Sequence, residues 1–274
     1  RSRVPEQRRR SSTLRASLGG RNSRLFREFH HQVRGRGHAA EGTPCQDRTA
    51  YLTRAGVQVA CLADGAGSAA RSDHGAHAVV REGCRLLAER FHEFDSRDDG
   101  AQVKREIIDE LRQQLHKTAR RQRCEVRDLA STFLAVAVSG DRFIAVHVGD
   151  GVIGYLKAGA LKVVSAPDNV GIANQTTFVT SEAAVASMRL LRGSATDVSG
   201  FILMSDGAET SLYNQKTQQL ATACRKIINL LGAGGALSVP VSRLQIRRLL
   251  GGVLRNGTKD DCGLAVLARE LRAA

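Results

Sequence analysis

Several aspartates in this sequence stand at the ends of short apolar runs, each with a small residue nearby. The set comprises Asp47 before residues 49–53, Asp64 after residues 57–63, Asp206 two residues after 201–204, and Asp260 with Asp261 before residues 263–268. A carboxylate at a strand end is held rigidly while its head projects into a crevice, and a neighbouring glycine lets a metal or phosphate approach the backbone. Hard cations such as Mg²⁺ and Mn²⁺ prefer oxygen ligands. The set therefore predicts a cation site, although one Asp-Gly pair by itself is more often a turn.

The elements that would position these aspartates can be predicted from the apolar pattern. Strand-length runs occupy residues 49–53, 57–63, 132–138, 142–148, 152–156, 188–191, 200–204 and 263–268. Helical patterns occupy residues 75–91, 103–123, 217–231 and 241–254. Gly140-Asp141 and Gly149-Asp150-Gly151 predict tight reversals between antiparallel neighbours. Two helices inserted between antiparallel strands favour a layered α+β fold over a doubly wound one.

Composition sets broad limits on the protein. The 274 residues are 42% hydrophobic and 25% charged, which is typical of a globular protein with a sizeable core. No apolar run reaches the roughly 18 residues of a membrane span, and no apolar leader follows Arg1, so we expect no membrane association. The six cysteines include no closely spaced pair, which argues against zinc and predicts a cytoplasmic location.

The net charge of +14 is concentrated near the start of the chain. Residues 1–36 contain eleven arginines and only Glu6 and Glu28 as acidic residues, and they account for +9 of the total. We predict a basic, flexible arm over residues 1–27 and a catalytic domain over 28–274. Such an arm attracts acidic partners without specifying bases, and the chain has 4% aromatic residues and no Trp, so nucleic-acid binding is not expected.

The motifs, taken in order, resemble those of the type 2C metal-dependent serine/threonine protein phosphatases. The resemblance covers residues from about 28 to 269 and is carried by Pro-Cys-Gln-Asp at 44–47, Ala-Asp-Gly-Ala-Gly-Ser at 63–68, Ser-Thr-Phe-Leu at 131–134, Val-Gly-Asp-Gly at 148–151, Met-Ser-Asp-Gly at 204–207 and Lys-Asp-Asp at 259–261. It is similar to the bacterial subgroup with CQD in place of the usual acidic pair. The implied fold is α+β, a four-layer α-β-β-α sandwich of two antiparallel sheets flanked by helical pairs.

The resemblance also implies a ligand set for two Mn²⁺ or Mg²⁺ ions. Asp64 matches the aspartate that bridges both metals, and Gly65 matches the glycine that adds a carbonyl ligand. The other implied metal residues are Asp47, Asp206 and Asp260, with Asp150 at a third, weaker ion. Asp261 stands where the family often has Asn. Gln46 replaces a frequent acidic residue, which we expect to weaken one metal position.

The remaining implied roles concern the substrate. Asp64 and Asp206 are expected to be catalytic through the ions, and His38 or His74 is expected to protonate the leaving oxygen, with His38 the stronger candidate. Arg34 and Arg36 are the nearest candidates to grip the phosphate. Residues 166–182 fall where such enzymes vary the loop over the site, so they are expected to set selectivity. Expected partners are a phosphoprotein substrate and a cognate Ser/Thr kinase, and the expected state is a monomer.

Three alternative functions are a dinucleotide-binding enzyme, a P-loop enzyme and a binding module without activity. Gly65-Ala66-Gly67 follows a strand, but Ala70 stands where a dinucleotide-binding motif has its third glycine, and Asp64 would face the pyrophosphate. No GxxxxGK[ST] segment is present, so a P-loop enzyme is not supported. The third alternative is a catalytically silent, phosphatase-shaped binding module, which the complete set Asp64, Asp206 and Asp260 disfavours.

Overall fold

The computed structural model describes residues 26–167, 176–233 and 238–270, and two five-stranded antiparallel sheets dominate it. The first, the β12 sheet, contains in spatial order β1 (Phe26–Val33), β12 (Cys262–Arg269), β9 (Val198–Met204), β6 (Val152–Lys157) and β7 (Ala160–Ser165). The second, the β3 sheet, contains β2 (Arg48–Arg54), β3 (Val57–Ala63), β4 (Phe133–Ser139), β5 (Arg142–Val148) and β8 (Arg189–Ser194). A short hairpin pairs β10 (Tyr213–Asn214) with β11 (Gln219–Leu220).

Helices cover the outer face of each sheet. The helices are α1 (Arg36–Glu41), α2 (Ser72–Ser96), α3 (Gly100–Gln122), α4 (Ala184–Ser187), α5 (Asp206–Leu212), α6 (Thr222–Gly232) and α7 (Val239–Leu249), with a 3-10 turn at Val126–Leu129 and a π-helical turn at Leu250–Leu254. The α2 and α3 pair packs on the β3 sheet, and α6 and α7 pack on the β12 sheet. The predicted four-layer α-β-β-α fold is confirmed.

The strand pleat explains why the central strands are apolar along most of their length. Alternate side chains of a strand point to opposite faces. In β3, Val59 and Cys61 face the helices, whereas Ala60 and Leu62 face the other sheet. Since both faces are covered, every residue of β3 is buried. The side chains of β4, β9 and β12 divide in the same way: some pack against the covering helices, and the others pack between the two sheets.

Strand register brings the predicted site residues to one end of the sandwich. Arg48 pairs with Ala63, which places Asp47 and Asp64 side by side. Leu264 and Val152 both pair with Met204, so the residues just before β12 and β6 lie next to those just after β9. The sandwich therefore gathers Asp47, Asp64, Asp150, Asp206 and Asp260 from five separate connections.

Several predicted elements need correction. Residues 149–151 do not form a hairpin, because β5 and β6 belong to different sheets and the segment crosses between them. The helix predicted over 217–231 begins at Thr222, because the Asn214 side chain accepts the backbone N–H groups of Lys216 and Thr217 and Gln218 has a φ of 53°, which folds the chain into a hairpin. Strands β1 and β7 and helix α1 were not predicted.

The N-terminal arm lies outside the described residues except for Phe26 and Arg27, which belong to β1. Of the loop expected to set selectivity, residues 168–175 also lie outside them. Within the part of the chain that is described, no helix is long and apolar enough to cross a membrane.

Candidate active site

Asp64 lies directly after β3, in a turn fixed by its backbone. The Asp64 N–H donates to Thr132 Oγ1 at 2.8 Å, and the Asp64 carbonyl accepts the Thr132 N–H at 2.8 Å. Gly65 then forms a single antiparallel bridge with Ser131. A methyl group on Gly65 would lie 2.8 Å from the backbone of Ser72, so a larger residue would push α2 away. The turn therefore holds the Asp64 carboxylate in place.

Asp47 is buried beside Asp64, with 1% of its surface exposed. Its Oδ2 accepts the Ser205 hydroxyl at 2.6 Å, and Ser205 Oγ in turn accepts the Gly263 N–H at 2.8 Å. The other oxygen, Oδ1, is buried without a hydrogen-bond partner among the described residues. A buried carboxylate oxygen without a donor is costly, and a cation would satisfy it.

A cavity of about 200 Å³ lies at this end of the sandwich. Its lining consists of His38, Gln46, Asp64, Gly65, Ala66, Gly67, Thr132, Asp150, Thr176, Phe178, Asp206 and Asp260. Four of the predicted carboxylates thus share one cavity, and Asp47 lies behind them against Asp64. The sequence predicted no individual role for Ala66, Gly67 or Thr132, although all three stand within the quoted motifs. Thr176 and Phe178 belong to the segment 166–182 that was expected to set selectivity.

The carboxylates raise one another's pKa. Burial raises the pKa of Asp64 well above its usual range, and the charges of Asp47, Asp206, Asp260 and Asp150 raise it further. Burial also raises the pKa of Asp206, to about 6, with repulsion from Asp260 and Asp150 adding to the effect and a hydrogen bond from Asp64 opposing it. The pKa of Asp47 is raised well above normal by burial, and a hydrogen bond from Asp64 again opposes the shift. Asp64 lies next to Asp47 in the strand register and lines the same cavity as Asp206, so it is central to the cluster.

Asp261 has a different position from its neighbour Asp260. It is 1% exposed, and its two oxygens accept the backbone N–H groups of Gly35 and Gln46, each at 2.6 Å. Both oxygens are thus used to tie the β1–β2 connection to the start of β12. Asp260 has an exposed side chain and lines the cavity.

The two candidate histidines lie in different places. His38, on α1, lines the cavity, with Nδ1 at 3.0 Å from Asp261 Oδ2 and Nε2 at 4.0 Å from Asp260 Oδ1. The Nδ1 atom is buried but lacks hydrogen-bond geometry toward Asp261 despite the short distance. His74 lies instead on α2, in a groove against β2. The structure therefore places only His38 beside the carboxylates.

The two candidate arginines stand at the start of α1 and do not line the cavity. Arg34 and Arg36 are exposed, and their guanidinium groups donate to the carbonyls of Thr43 and Thr258 at 3.4 and 3.2 Å. The lining contributed by the described residues contains neither Arg nor Lys. Both guanidinium groups would have to leave these carbonyls to reach a phosphate in the cavity.

Asp150 and Gln46 complete the lining on opposite sides. Asp150 Oδ2 accepts the Thr176 hydroxyl at 2.5 Å, which connects it to the segment predicted to set selectivity. Gln46 is buried, and its amide nitrogen donates to Ser72 Oγ at 2.8 Å. The residue that replaces a carboxylate thus fastens this part of the site to the start of α2.

The donor set fits hard divalent cations. It consists of carboxylate oxygens, among them the unpartnered Asp47 Oδ1, and no cysteine lines the cavity within the described residues. Across residues 26–167, 176–233 and 238–270, no three His, Cys, Asp or Glu side chains already form a metal-binding group. A cation would have to draw the carboxylates together, which their mutual repulsion otherwise opposes.

Comparisons with known proteins identify the family and the fold. A family model described as Protein phosphatase 2C matches residues 34–242. Serine/threonine-protein phosphatase 3 of Escherichia coli (strain K12) is 28% identical over 187 residues, covering 66% of this chain and 72% of that protein. The serine/threonine phosphatase Stp1 from Staphylococcus aureus shares the fold at a TM-score of 0.59 and 16% identity, covering 90% of this chain and 96% of that chain. The S. agalactiae serine/threonine phosphatase also shares the fold, at a TM-score of 0.60 and 16% identity, and the match covers 89% of this chain and 100% of that chain.

The two-sheet sandwich and its terminal carboxylate cavity are those of a protein phosphatase. The matched model spans most of the described chain, from before α1 into α7. The chain belongs to the protein phosphatase 2C family, whose members in general depend on metal ions. The silent binding module is accordingly not favoured.

Proposed function

We propose that this phosphatase hydrolyses phosphoserine and phosphothreonine esters at the 200 Å³ carboxylate cavity. The observation that carries the proposal is the convergence of Asp64, Asp150, Asp206 and Asp260 on one cavity, with Asp47 directly behind Asp64. These residues come from connections far apart in the chain, and no structural need of the sandwich accounts for clustering like charges there. Like charges at such close range destabilise the fold unless a cation offsets them.

Asp47, Asp64, Gly65, Asp206 and Asp260 would hold two Mn²⁺ or Mg²⁺ ions, and Asp150 a third. Bound ions of this kind supply an acidified water and neutralise charge on phosphoryl oxygens. Asp64 lies beside Asp47 in the strand register and shares the cavity with Asp206, which supports a role for its carboxylate in holding both ions. Because Gln46 has an uncharged amide committed to Ser72, we expect one ion to bind more weakly than the other.

His38 would supply the proton that the leaving serine or threonine oxygen needs. Its Nδ1 is buried beside Asp261, whereas Nε2 lies toward Asp260 of the cavity lining, so Nε2 is the nitrogen that would donate. Arg34 and Arg36, on either side of Gly35 at the start of α1, would grip the substrate phosphate after leaving the carbonyls of Thr43 and Thr258.

The cellular setting follows from the same function. A protein phosphatase acts on phosphoproteins, and we propose a cognate Ser/Thr kinase, a cytoplasmic location and a monomer, with residues 1–27 as a basic arm outside the catalytic domain 28–274. All six cysteines are free, which supports a reducing compartment. Light scattering of the full chain would test the monomer, and a dimer at micromolar concentration would contradict it.

The decisive assay is Mn²⁺-dependent hydrolysis of a phosphothreonine peptide. Asp64→Asn and Asp206→Asn should each lower kcat/KM by at least a hundredfold, because each removes charge from the cation site. Asp197→Asn is the matched control, since Asp197 is exposed in the connection between β8 and β9, away from the cavity. Equal rates for the four proteins would remove the proposed assignment of the site.

A further inference from the structure

A second cavity, of about 820 Å³, opens directly beside the carboxylate cavity. Asp206 belongs to the lining of both. Helix α5 forms one wall of this second cavity, the β10–β11 hairpin forms the opposite wall, and the first residues of α6 close one end. A substrate chain whose phosphorylated residue reaches Asp206 would therefore have to pass this cavity or lie in it.

The hairpin wall is firmly built. Tyr213 pairs with Leu220, and Asn214 Oδ1 accepts the N–H groups of Lys216 and Thr217 at 3.0 and 3.1 Å. The Leu220 side chain rests on β6 at Gly154, where any added methyl group would collide with it. The second cavity is consequently held open by packing and hydrogen bonds among described residues.

Glu209 is the notable side chain in this lining. It lies one helical turn after Asp206 on α5 and is 2% exposed. Its Oε1 accepts the Gln215 side-chain amide at 2.8 Å, and no Lys, Arg or His of the described residues forms an ion pair with it. A buried carboxylate without a cationic partner is costly, and a cationic group would offset that cost.

The second cavity has a charged residue on each of its two walls, Glu209 and Lys216, and the two differ in solvent exposure. Glu209 is buried in the wall formed by α5, whereas Lys216 is exposed near the tip of the hairpin. An exposed charge is screened by water and contributes little, whereas a buried one acts strongly on a group that reaches it. The cavity therefore favours a positively charged side chain over a negatively charged one.

We propose that this second cavity binds the substrate chain beside the phosphorylated residue and that Glu209 pairs there with an arginine or lysine side chain of the phosphoprotein. The inference rests on the proposed function, because it takes Asp206 as part of the hydrolytic site. Residues three apart on a helix lie about 5–6 Å from each other, and an extended chain rises about 3.3 Å per residue. The basic residue should thus stand within about three positions of the phosphorylated one.

The test uses the full chain with Mn²⁺ and a set of phosphothreonine peptides. Each peptide carries a single Arg at one position from three before to three after the phosphothreonine, and its matched partner carries norleucine there. We expect the wild type to prefer Arg at one position by about tenfold in kcat/KM, mostly through KM, as for a hydrogen bond to a charged group. Glu209→Gln should reduce the preference to below twofold, and Glu209→Asp should keep part of it.

Two controls make the result specific. Lys216→Gln changes an exposed residue of the same cavity and should leave the Arg preference intact. The far-UV circular dichroism spectrum and the Tm of Glu209→Gln should match those of the wild type, which shows that the variant is folded. An unchanged Arg preference in that variant, or no preference in the wild type, would overturn the inference. Loss of all Mn²⁺-dependent hydrolysis in the wild type would instead overturn the proposed function.

Discussion

Removing one carboxylate from the cavity should stabilise the metal-free protein, and Asp206→Asn is the sharpest such change. Asp206 is half-buried and shares the cavity with Asp64, Asp150 and Asp260, so its ionised form is disfavoured in the folded state. Asparagine has nearly the same shape and keeps the oxygen that accepts the Gly207 N–H. The substitution therefore removes the charge with little change in packing.

The size of the stabilisation expected from Asp206→Asn follows from the pKa of Asp206. Folding raises that pKa from 3.8 to about 6, which corresponds to roughly 3 kcal/mol. Below about pH 4 the carboxyl is protonated in both the folded and the unfolded state. Between about pH 4 and 6 the folded state keeps a proton that the unfolded state has lost, so stability falls as pH rises. Above pH 6 the folded wild type bears the full free-energy cost of an ionised Asp206, and Asp206→Asn does not.

Urea denaturation in EDTA at pH 4.5 and 7.5 measures this difference. At pH 7.5 the variant should exceed the wild type by roughly 2–3 kcal/mol, or about 6–12 °C in Tm for a chain of this size. The difference should shrink at pH 4.5. Millimolar Mn²⁺ should reverse the order at pH 7.5, because it binds the folded wild type far better than the variant. A wild type at least as stable as Asp206→Asn in EDTA at pH 7.5 would refute the reasoning.

Three further predictions address single contacts. Ser205→Ala leaves the buried Gly263 N–H without its acceptor and should lower the free energy of unfolding by about 1–3 kcal/mol in urea titrations; an unchanged value would mean that the contact is not formed. Gly65→Ala forces the turn against Ser72 and should lower both Tm and Mn²⁺ affinity measured by calorimetry, whereas wild-type values would contradict the close packing. His38→Gln should lower kcat for a phosphothreonine peptide by about a hundredfold and change para-nitrophenyl phosphate hydrolysis little, because that leaving group needs no proton; equal losses on both would exclude His38 as the general acid.

The positions of the central strands and the convergence of the aspartates could both be predicted from the sequence, but from different kinds of signal. Strands such as β3 and β4 are continuous apolar runs, because helices cover one face and the other sheet covers the opposite face. The convergence of Asp64, Asp206 and Asp260 could not come from spacing, since they are separated by long stretches of chain. It came from the order of the motifs, and the register of the strands agrees with it.

Other features depended on contacts that a local pattern does not contain. Strand β1 carries Arg27, Glu28 and His30 and lies at a sheet edge, so no apolar run marks it. The hairpin at 213–220 looks helical in composition, but a side-chain oxygen of Asn214 turns the backbone. The backbone-tying role of Asp261 could not be predicted from the sequence, because only the fold brings Gly35 and Gln46 to its oxygens.

Anomalous diffraction from a crystal soaked in MnCl₂ tests the central claim most directly. We expect two strong manganese peaks at the carboxylate cavity, each about 2.0–2.6 Å from carboxylate oxygens. Asp64 should contact both ions, and Asp206 and Asp260 should each contact at least one. Peaks elsewhere on the protein, or no peak within reach of Asp64 and Asp206, would contradict it.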